Sequence, residues 1–527
     1  MKASYRLCMD TKSVHDRRWV ILGVLVVSLL VVVLDNTILN VALKTIEQDL
    51  QATQSQLEWA INSYTLVFAG LLFTYGVLGD RYGRRRVLMI GLLLFGLASA
   101  LSAFAATPEQ LIATRALMGI GGAAVLPSTL SIITNVFEPP ERGKAIGIWA
   151  GSTGLAVAIG PIAGGALLEH FWWGSVFLIN VPVVAVGLVA VALVVPESRN
   201  PNPGKVDPWG VVLSITGLVA LVYGIIAGGQ RGEWLNLEAL GSIMAGLAVL
   251  ALFVWVERHS DHPSLDVTLF RNPRFSAASA AITLAFFALF GSTFYLSFYL
   301  QLVRDYSPLQ AGVRLLPVAL AIAFFAPRSA GLVQRYGPKA VCGTGMLLVT
   351  VSFAGYVVLG VDTPIWVLEV LLFLQGAGMA NVMAPATESI MSTLPRESAG
   401  AGSAVNNTVR QIGGALGVAI LGSVLSATYR SASEPALQGL PAQLREPAGE
   451  SLGATVAIAA RLGEGALAVV EPAREAFVEA MHVTAVGSAA VALLGAFVVW
   501  RWLPGKGELS ATPAGSPIEE PAAVARR

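Results

Sequence analysis

Two ionisable side chains stand inside long apolar runs: Asp35, in Val31-Val32-Val33-Leu34-Asp35-Asn36-Thr37-Ile38-Leu39-Asn40, and Arg115, in Ala113-Thr114-Arg115-Ala116-Leu117-Met118. An ionisable group surrounded by hydrocarbon is costly, so each is a candidate functional residue. Burial disfavours a charged carboxylate and a neighbouring cation favours it; these opposing pulls can set Asp35 to exchange a proton near neutral pH. That is the chemistry of proton coupling. The competing reading is a static ion pair that fixes helix packing, and it is weakened because buried pairs are poor sources of stability. Glu388 is a third candidate for proton passage, near an inner helix end where an interfacial charge is equally expected. Arg410 shares a helix face with Asn406 and Asn407 and is followed by Gln411. With Asn62 and Tyr64 these residues are read as lining a substrate cavity. Trp59, Phe294, Tyr295 and Phe298 are further aromatic candidates, although lipid-facing packing is the expected place for most of them.

The elements that position these groups follow from hydropathy. Of the 527 residues 55% are hydrophobic and 13% charged, against about 25% charged in soluble domains, which marks an all-α integral membrane protein. An α-helix needs roughly 20 apolar residues to cross the hydrocarbon. Fourteen such runs are expected, at about 19–41, 57–79, 86–105, 109–134, 142–168, 174–195, 208–228, 236–257, 274–300, 309–332, 339–360, 364–390, 401–427 and 482–503. At 1.5 Å per residue, Asp35 and Arg115 each lie roughly 9 Å below the outer ends of the first and fourth spans, so they share a depth.

The chain also repeats itself. Gly76-Val77-Leu78-Gly79-Asp80-Arg81-Tyr82-Gly83-Arg84-Arg85-Arg86 returns in worn form as Val333-Gln334-Arg335-Tyr336-Gly337-Pro338-Lys339, and Leu117–Ala123 returns as Leu374–Ala380. The offsets pair helices 1–6 with helices 9–14 and leave helices 7 and 8 as an insertion: two pseudo-symmetric six-helix bundles plus two inserted helices. The expected divisions are a tail at 1–18, a first bundle at 19–195, a linker with the inserted pair at 196–273, a second bundle at 274–503 and a tail at 504–527. The outer loop 428–481 is expected to hold one or two short amphipathic helices or a disordered tether. The inner segments collect 24 of the 34 Lys and Arg residues, which places both termini in the cytoplasm. Such duplicated helical halves suit a transporter with a site between them.

Several function classes are disfavoured. A net charge of +1 gives no basic footprint for nucleic acid. Cys8 and Cys342 form no CxxC pattern, and His259-Ser260-Asp261-His262 reads as a solvated connector, so no metal site is expected. The Asp80 turn follows no strand and lacks Gly-Lys-Ser/Thr, which argues against a nucleotide-driven pump. Asp80 is instead read as a cap on a helix N-terminus of the other bundle. Along the fifth span, Gly147, Gly151, Gly154, Gly160-Pro161 and Gly164-Gly165 read as a close-packing seam with a loosened point.

Taken together these motifs resemble the major facilitator superfamily, in its fourteen-helix drug:proton antiporter branch. Gly76-x-Leu78-Gly79-Asp80-Arg81-x-Gly83-Arg84-Arg85 resembles the superfamily's loop 2–3 signature. Arg115-x-x-x-Gly119-x-Gly121-Gly122-Ala123 resembles the helix 4 motif associated with proton transfer. Gly154 through Gly160-Pro161-x-x-Gly164-Gly165 resembles the helix 5 antiporter motif, and Leu34-Asp35-x-Thr37-Ile38-x-Asn40-Val41-Ala42-Leu43 the helix 1 signature of the branch. Lys44 departs from the proline that usually ends that signature. Asn62, Asn406, Asn407 and Gln411 stand where relatives that export dications carry acids, which points to monovalent lipophilic cations or to neutral and zwitterionic antibiotics. The resemblance implies a non-enzymatic, multi-pass cell-membrane protein, expected as a monomer, which exports amphipathic drugs by alternating access. It further implies transport driven by the proton gradient, with no cofactor, metal or nucleic acid expected. A proton symporter importing a small metabolite is the alternative, and a membrane enzyme or receptor is disfavoured by the lack of a nucleophile/base pair.

Overall fold

The computed structural model describes residues 16–199, 207–231, 234–260, 267–393, 399–463 and 468–505. Among them there is no strand. The first half comprises α1 (Arg18–Leu50), α2 (Gln54–Tyr82), α3 (Arg84–Ala103), α4 (Pro108–Val136), α5 (Pro139–His170) and α6 (Ser175–Val194). Two further helices follow, α7 (Pro208–Arg231) and α8 (Leu237–His259). The second half has α9 (Pro273–Phe298), α10 (Pro308–Arg314), α11 (Leu316–Tyr336), α12 (Pro338–Gly355), α13 (Ile365–Ser392) and α14 (Ala399–Leu437). Short α15 (Ala442–Ala448) and α16 (Leu452–Leu462) precede α17 (Val470–Trp502).

Helix starts obey local chemistry. Thr53 and Ser307 each form a capping box with the glutamine three residues on, and Thr107 caps α4 ahead of Pro108. Among the described residues twelve helices are long and apolar enough to cross a membrane, or thirteen when α2, bent by 52° between Gln54–Leu72 and Thr74–Tyr82, counts as one span. Fourteen were expected. The remaining run, α5, is a continuous 32-residue helix that falls partly outside the residues described at side-chain level.

The duplication is visible in the backbone. Helix, glycine, helix recurs at Tyr82-Gly83-Arg84 and Tyr336-Gly337-Pro338, with φ of +112° and +85° at the two glycines. A side chain is disfavoured at that φ, so the turn requires glycine in both halves. The inserted α7 and α8 lie outside the halves: α7 packs on α2 and α14 through Leu66, Leu218, Val222, Ala415 and Ala419. Helix α8 exposes most of its apolar surface. Below, the face bearing the start of α1 and the end of α17 is called the terminal face, and the opposite one the distal face.

On the distal face α14 runs on to Leu437 and α17 begins at Val470, so helix occupies much of 428–481. Helices α15 and α16 fill most of the remainder around Leu437, Leu440, Ala448, Ala459 and Val469. The Tyr429 hydroxyl meets Thr455 Oγ1 at 2.6 Å, tying this cap to α14.

Candidate functional site

Small residues bring the helices together around Arg115. A Cβ on Gly119 would sit 2.6 Å from the Tyr64 carbonyl oxygen, and one on Gly91 would sit 2.8 Å from the Gly121 carbonyl oxygen. Helices α2 and α3 therefore approach α4 at backbone distance. The Arg115 guanidinium, fully buried, forms an ion pair with Asp35 of α1. Its Nε donates to the Ala60 carbonyl at 3.1 Å, and its Cζ lies over the Tyr64 ring, 4.4 Å from the centroid. The other Asp35 oxygen accepts from Asn180 Nδ2 of α6 at 3.0 Å, and Asn180 also lies 3.1 Å from Ser99 Oγ of α3. Helices α4 and α6 thus meet the α1 carboxylate directly, and α2 and α3 reach it through Arg115 and Asn180. Arg115 Nη2 and the Tyr64 hydroxyl are buried without a hydrogen-bond partner among the described residues. The guanidinium can therefore take a new acceptor if Asp35 lets go.

The Asp80 turn is fastened differently from the expectation. Asp80 pairs with Arg84 at 2.8 Å, four residues away in its own half, and Arg84 Nη1 donates to the Ser131 carbonyl. No cap on the other half is seen among the described residues, and the Arg84 bonds to this carboxylate both fall on Oδ1. The end of α6 completes the lock: the Arg85 amide donates to Glu197 Oε1 at 3.2 Å and the Arg84 amide to the Ser198 carbonyl at 3.0 Å. Arg81 lies over Tyr82. Gly79 sits in ordinary contact with Arg84 and Ser128, and Gly76 faces open space.

Helix α5 carries its glycines on two faces. A Cβ on Gly160 would overlap Thr37, and one on Gly164 would sit 2.9 Å from Ile38, so α5 lies directly on α1 beside Asp35. Gly165 abuts Leu309, and Gly312 abuts the Pro161 carbonyl, so the same helix touches the second half. Gly147, Gly151 and Gly154 lie outside the residues described at side-chain level. Lys44, the position that departs from proline, donates from Nζ to the Gln301 carbonyl at 2.7 Å, while Gln301 Nε2 donates to the Val41 carbonyl at 3.0 Å. Ser307 donates to Glu169, and Ser451 to the buried Glu47. All these ties between the halves gather at the distal face, which is closed.

The chain matches the Major Facilitator Superfamily across residues 25–418. It belongs to that superfamily. It is 38% identical over 493 residues to the multidrug efflux pump LfrA of Mycolicibacterium smegmatis, covering 93% of this chain and 97% of that protein. It is 36% identical to the methyl viologen resistance protein SmvA of Salmonella typhimurium, covering 92% and 98%. A crystal structure of a bacterial homolog to the human lysosomal transporter Spinster, inward-facing and unoccupied, superposes with a TM-score of 0.62 at 19% identity, covering 92% of this chain and 99% of that one. The likeness to that structure concerns the fold.

Within the superfamily's two-half plan, the remaining candidates are scattered. Asn62 is buried with neither amide atom partnered among the described residues, and Asn406 accepts from Thr387 Oγ1 at 3.4 Å. Asn407 and Gln411 are half-buried, and Arg410 stacks 4.5 Å from the Phe286 ring centroid. Glu388 is exposed on the part of α13 nearer the terminal face. Tyr64 belongs with Arg115, and Phe294, Tyr295 and Phe298 are in the protein core rather than against lipid, because α9 is a central helix. Sequence reasoning missed Asn180, Ser99, Glu47, Glu58 and Glu197, and noted Lys44 only as a departure from proline. Asn180 carried a usable signal, as a lone amide opening a strongly apolar run.

Proposed function

We propose that this protein is a proton-driven efflux antiporter for amphipathic drugs or antibiotics, working by alternating access. The observation that carries the reading is the wholly buried Asp35–Arg115 pair braced by Asn180, in a superfamily member whose relatives include a multidrug efflux pump. On this reading all fourteen predicted runs are spans, the long α5 among them. The terminal face is cytoplasmic, and the transporter acts as a monomer in the cell membrane without a cofactor.

With the distal, outer side open, Asp35 takes a proton, and its hold on Arg115 and on a cationic substrate weakens. Tyr64 and Asn180 keep the guanidinium and carboxyl in place while the ion pair is broken. Once the halves have closed as seen here, the proton leaves toward the cytoplasm, and Asp35 is free to draw in the next substrate. The α5 glycines, lying against α1 on one side and α10 on the other, are where one half slides over the other.

Asp35→Asn keeps the shape and removes the titrating group. It is expected to reach the membrane at wild-type level, yet fail to extrude a fluorescent monocationic dye from vesicles under an imposed pH gradient. Normal extrusion by this variant refutes the mechanism.

A further inference from the structure

Helix α2 presents two polar faces. Ala60 and Tyr64 turn toward Arg115, whereas Gln54, Glu58 and Asn62, each four residues apart, form a stripe about half a turn away. All three are buried. Gln54 Nε2, Glu58 Oε2 and both Asn62 amide atoms lack partners among the described residues. The Glu58 carboxylate meets α14 of the other half: a Cβ on Gly422 would stand 2.5 Å from its Oε1. One turn outward, Gln54 lines a cleft at the distal face with Thr53, Ser55, Ser426, Arg430 and Glu450.

We propose that Glu58 is a proton-binding site in the seam between the halves, loaded from the distal side through the cleft at Gln54, whose occupancy permits the seam to close. The proposal rests on the alternating-access reading above but is independent of the role given to Asp35. A carboxylate enclosed with no counter-ion or donor among the described residues is strongly disfavoured when charged, and the neutral acid is not.

Among the described residues no ion pair or hydrogen bond joins Glu58 to a charged group of the surrounding elements, and Arg410 of α14 lies over the Phe286 ring. Arg115 of α4 holds Asp35, and Glu109 of α4 accepts from Gln56. On α1, Lys44 holds Gln301 and Glu47 accepts from Ser451. Arg430 of α14 shares the cleft with Glu450, and Arg84 to Arg86 of α3 lie at the far end. Arg231 of α7 lies outside the residues described at side-chain level. The sign follows from the neutral form being the one that fits: the closed seam is favoured at low pH and gives way as pH rises and Glu58 ionises.

The test uses the full-length protein in lipid nanodiscs, with spin labels on Ser55→Cys of α2 and Ser426→Cys of α14 in a Cys8→Ser background. Asp35→Asn is included in every sample to remove that group's titration. The label separation is expected to lengthen from acidic to mildly alkaline buffer. Adding Glu58→Gln is expected to abolish the shift and leave the short distance throughout. Gly422→Ala, which pushes against the carboxylate, is expected to leave the long distance throughout. A pH shift that survives Glu58→Gln, or no shift before it is added, overturns the proposal. Should Glu58→Gln fail to fold, a Gly422→Ala protein with an unaltered short distance and pH response overturns it instead. Normal dye extrusion by Asp35→Asn alone would refute the mechanism assigned to Asp35 and leave this result standing.

Discussion

The two halves place different chemistry at the same point. Asp35 on the first helix of one half corresponds to Ser292 on the first helix of the other, 257 residues later, the offset that also aligns Gly119 with Gly376. Around Asp35 stand Arg115 and Asn180. Around Ser292 stand Gln375 of α13, whose Nε2 lies 3.2 Å from the serine Oγ, and Tyr356, whose hydroxyl donates to Gln375 Oε1 at 2.9 Å. Both networks are buried and both join the first and fourth helices of their half, but only one is charged. The scaffold's need to tie those helices together is therefore met by neutral hydrogen bonds, and the ion pair is surplus to it. Charge that packing does not require is where function is to be sought.

Cutting each network at its fourth-helix residue gives the largest expected contrast. Arg115→Met strands Asp35 without a counter-ion and should cost about 3–5 kcal/mol. Gln375→Met takes the acceptor from the Tyr356 hydroxyl, while Ser292 keeps its bond to the Leu289 carbonyl, and should cost about 1–3 kcal/mol. Thermal unfolding of the purified proteins in detergent, followed by tryptophan fluorescence, should rank Arg115→Met well below Gln375→Met. Equal midpoints would mean that the charged network is no more demanding than the neutral one, and the comparison would fail.

How these networks could be read from the chain differs in the same way. Asp35 and Arg115 were legible because charges in long apolar runs are rare, and their common depth followed from helix rise alone. The duplicated turn was legible because glycine and arginine recur at one spacing. Asn180 left a single signal that was passed over, a lone amide within α6 ahead of a strongly apolar run. Glu58 was hidden because four residues from a helix start is normally interface, and its burial comes from α14, more than 350 residues away in sequence. The extension of α14 to Leu437 was missed for a related reason: Arg430, Ser431, Ser433 and Glu434 look like loop, and only the folded cap of α15 and α16 gives them a helical setting.

The turns on the terminal face sharpen the comparison at smaller magnitude. Alanine at φ of +112° or +85° is strained by about 1–3 kcal/mol in either half. At Gly83 the new Cβ would also stand 2.6 Å from Glu197 Oε1, the carboxylate that receives the Arg85 amide. Gly83→Ala should therefore lose more thermal stability than Gly337→Ala. It should also slow dye extrusion, since it loosens the lock between α3 and the end of α6. If Gly337→Ala proves the more damaging, the second-half turn bears more of the motion than its worn sequence implies.

The smallest expected effect falls on Ser292 itself. Ser292→Ala removes one neutral hydroxyl, whose Oγ also donates to the Leu289 carbonyl one turn back at 2.8 Å. That carbonyl remains within its helix, and Gln375 keeps its bond to Tyr356. The cost should be about 0.5–1.5 kcal/mol, with dye extrusion under a pH gradient close to wild type, where Asp35→Asn at the corresponding place is expected to extrude none. The pair is informative because both substitutions are near-isosteric and both sites are buried on the first helix of a half. A Ser292→Ala protein that is stable but silent would show that the neutral network also carries a step of the cycle. The asymmetry would then concern charge alone and not function.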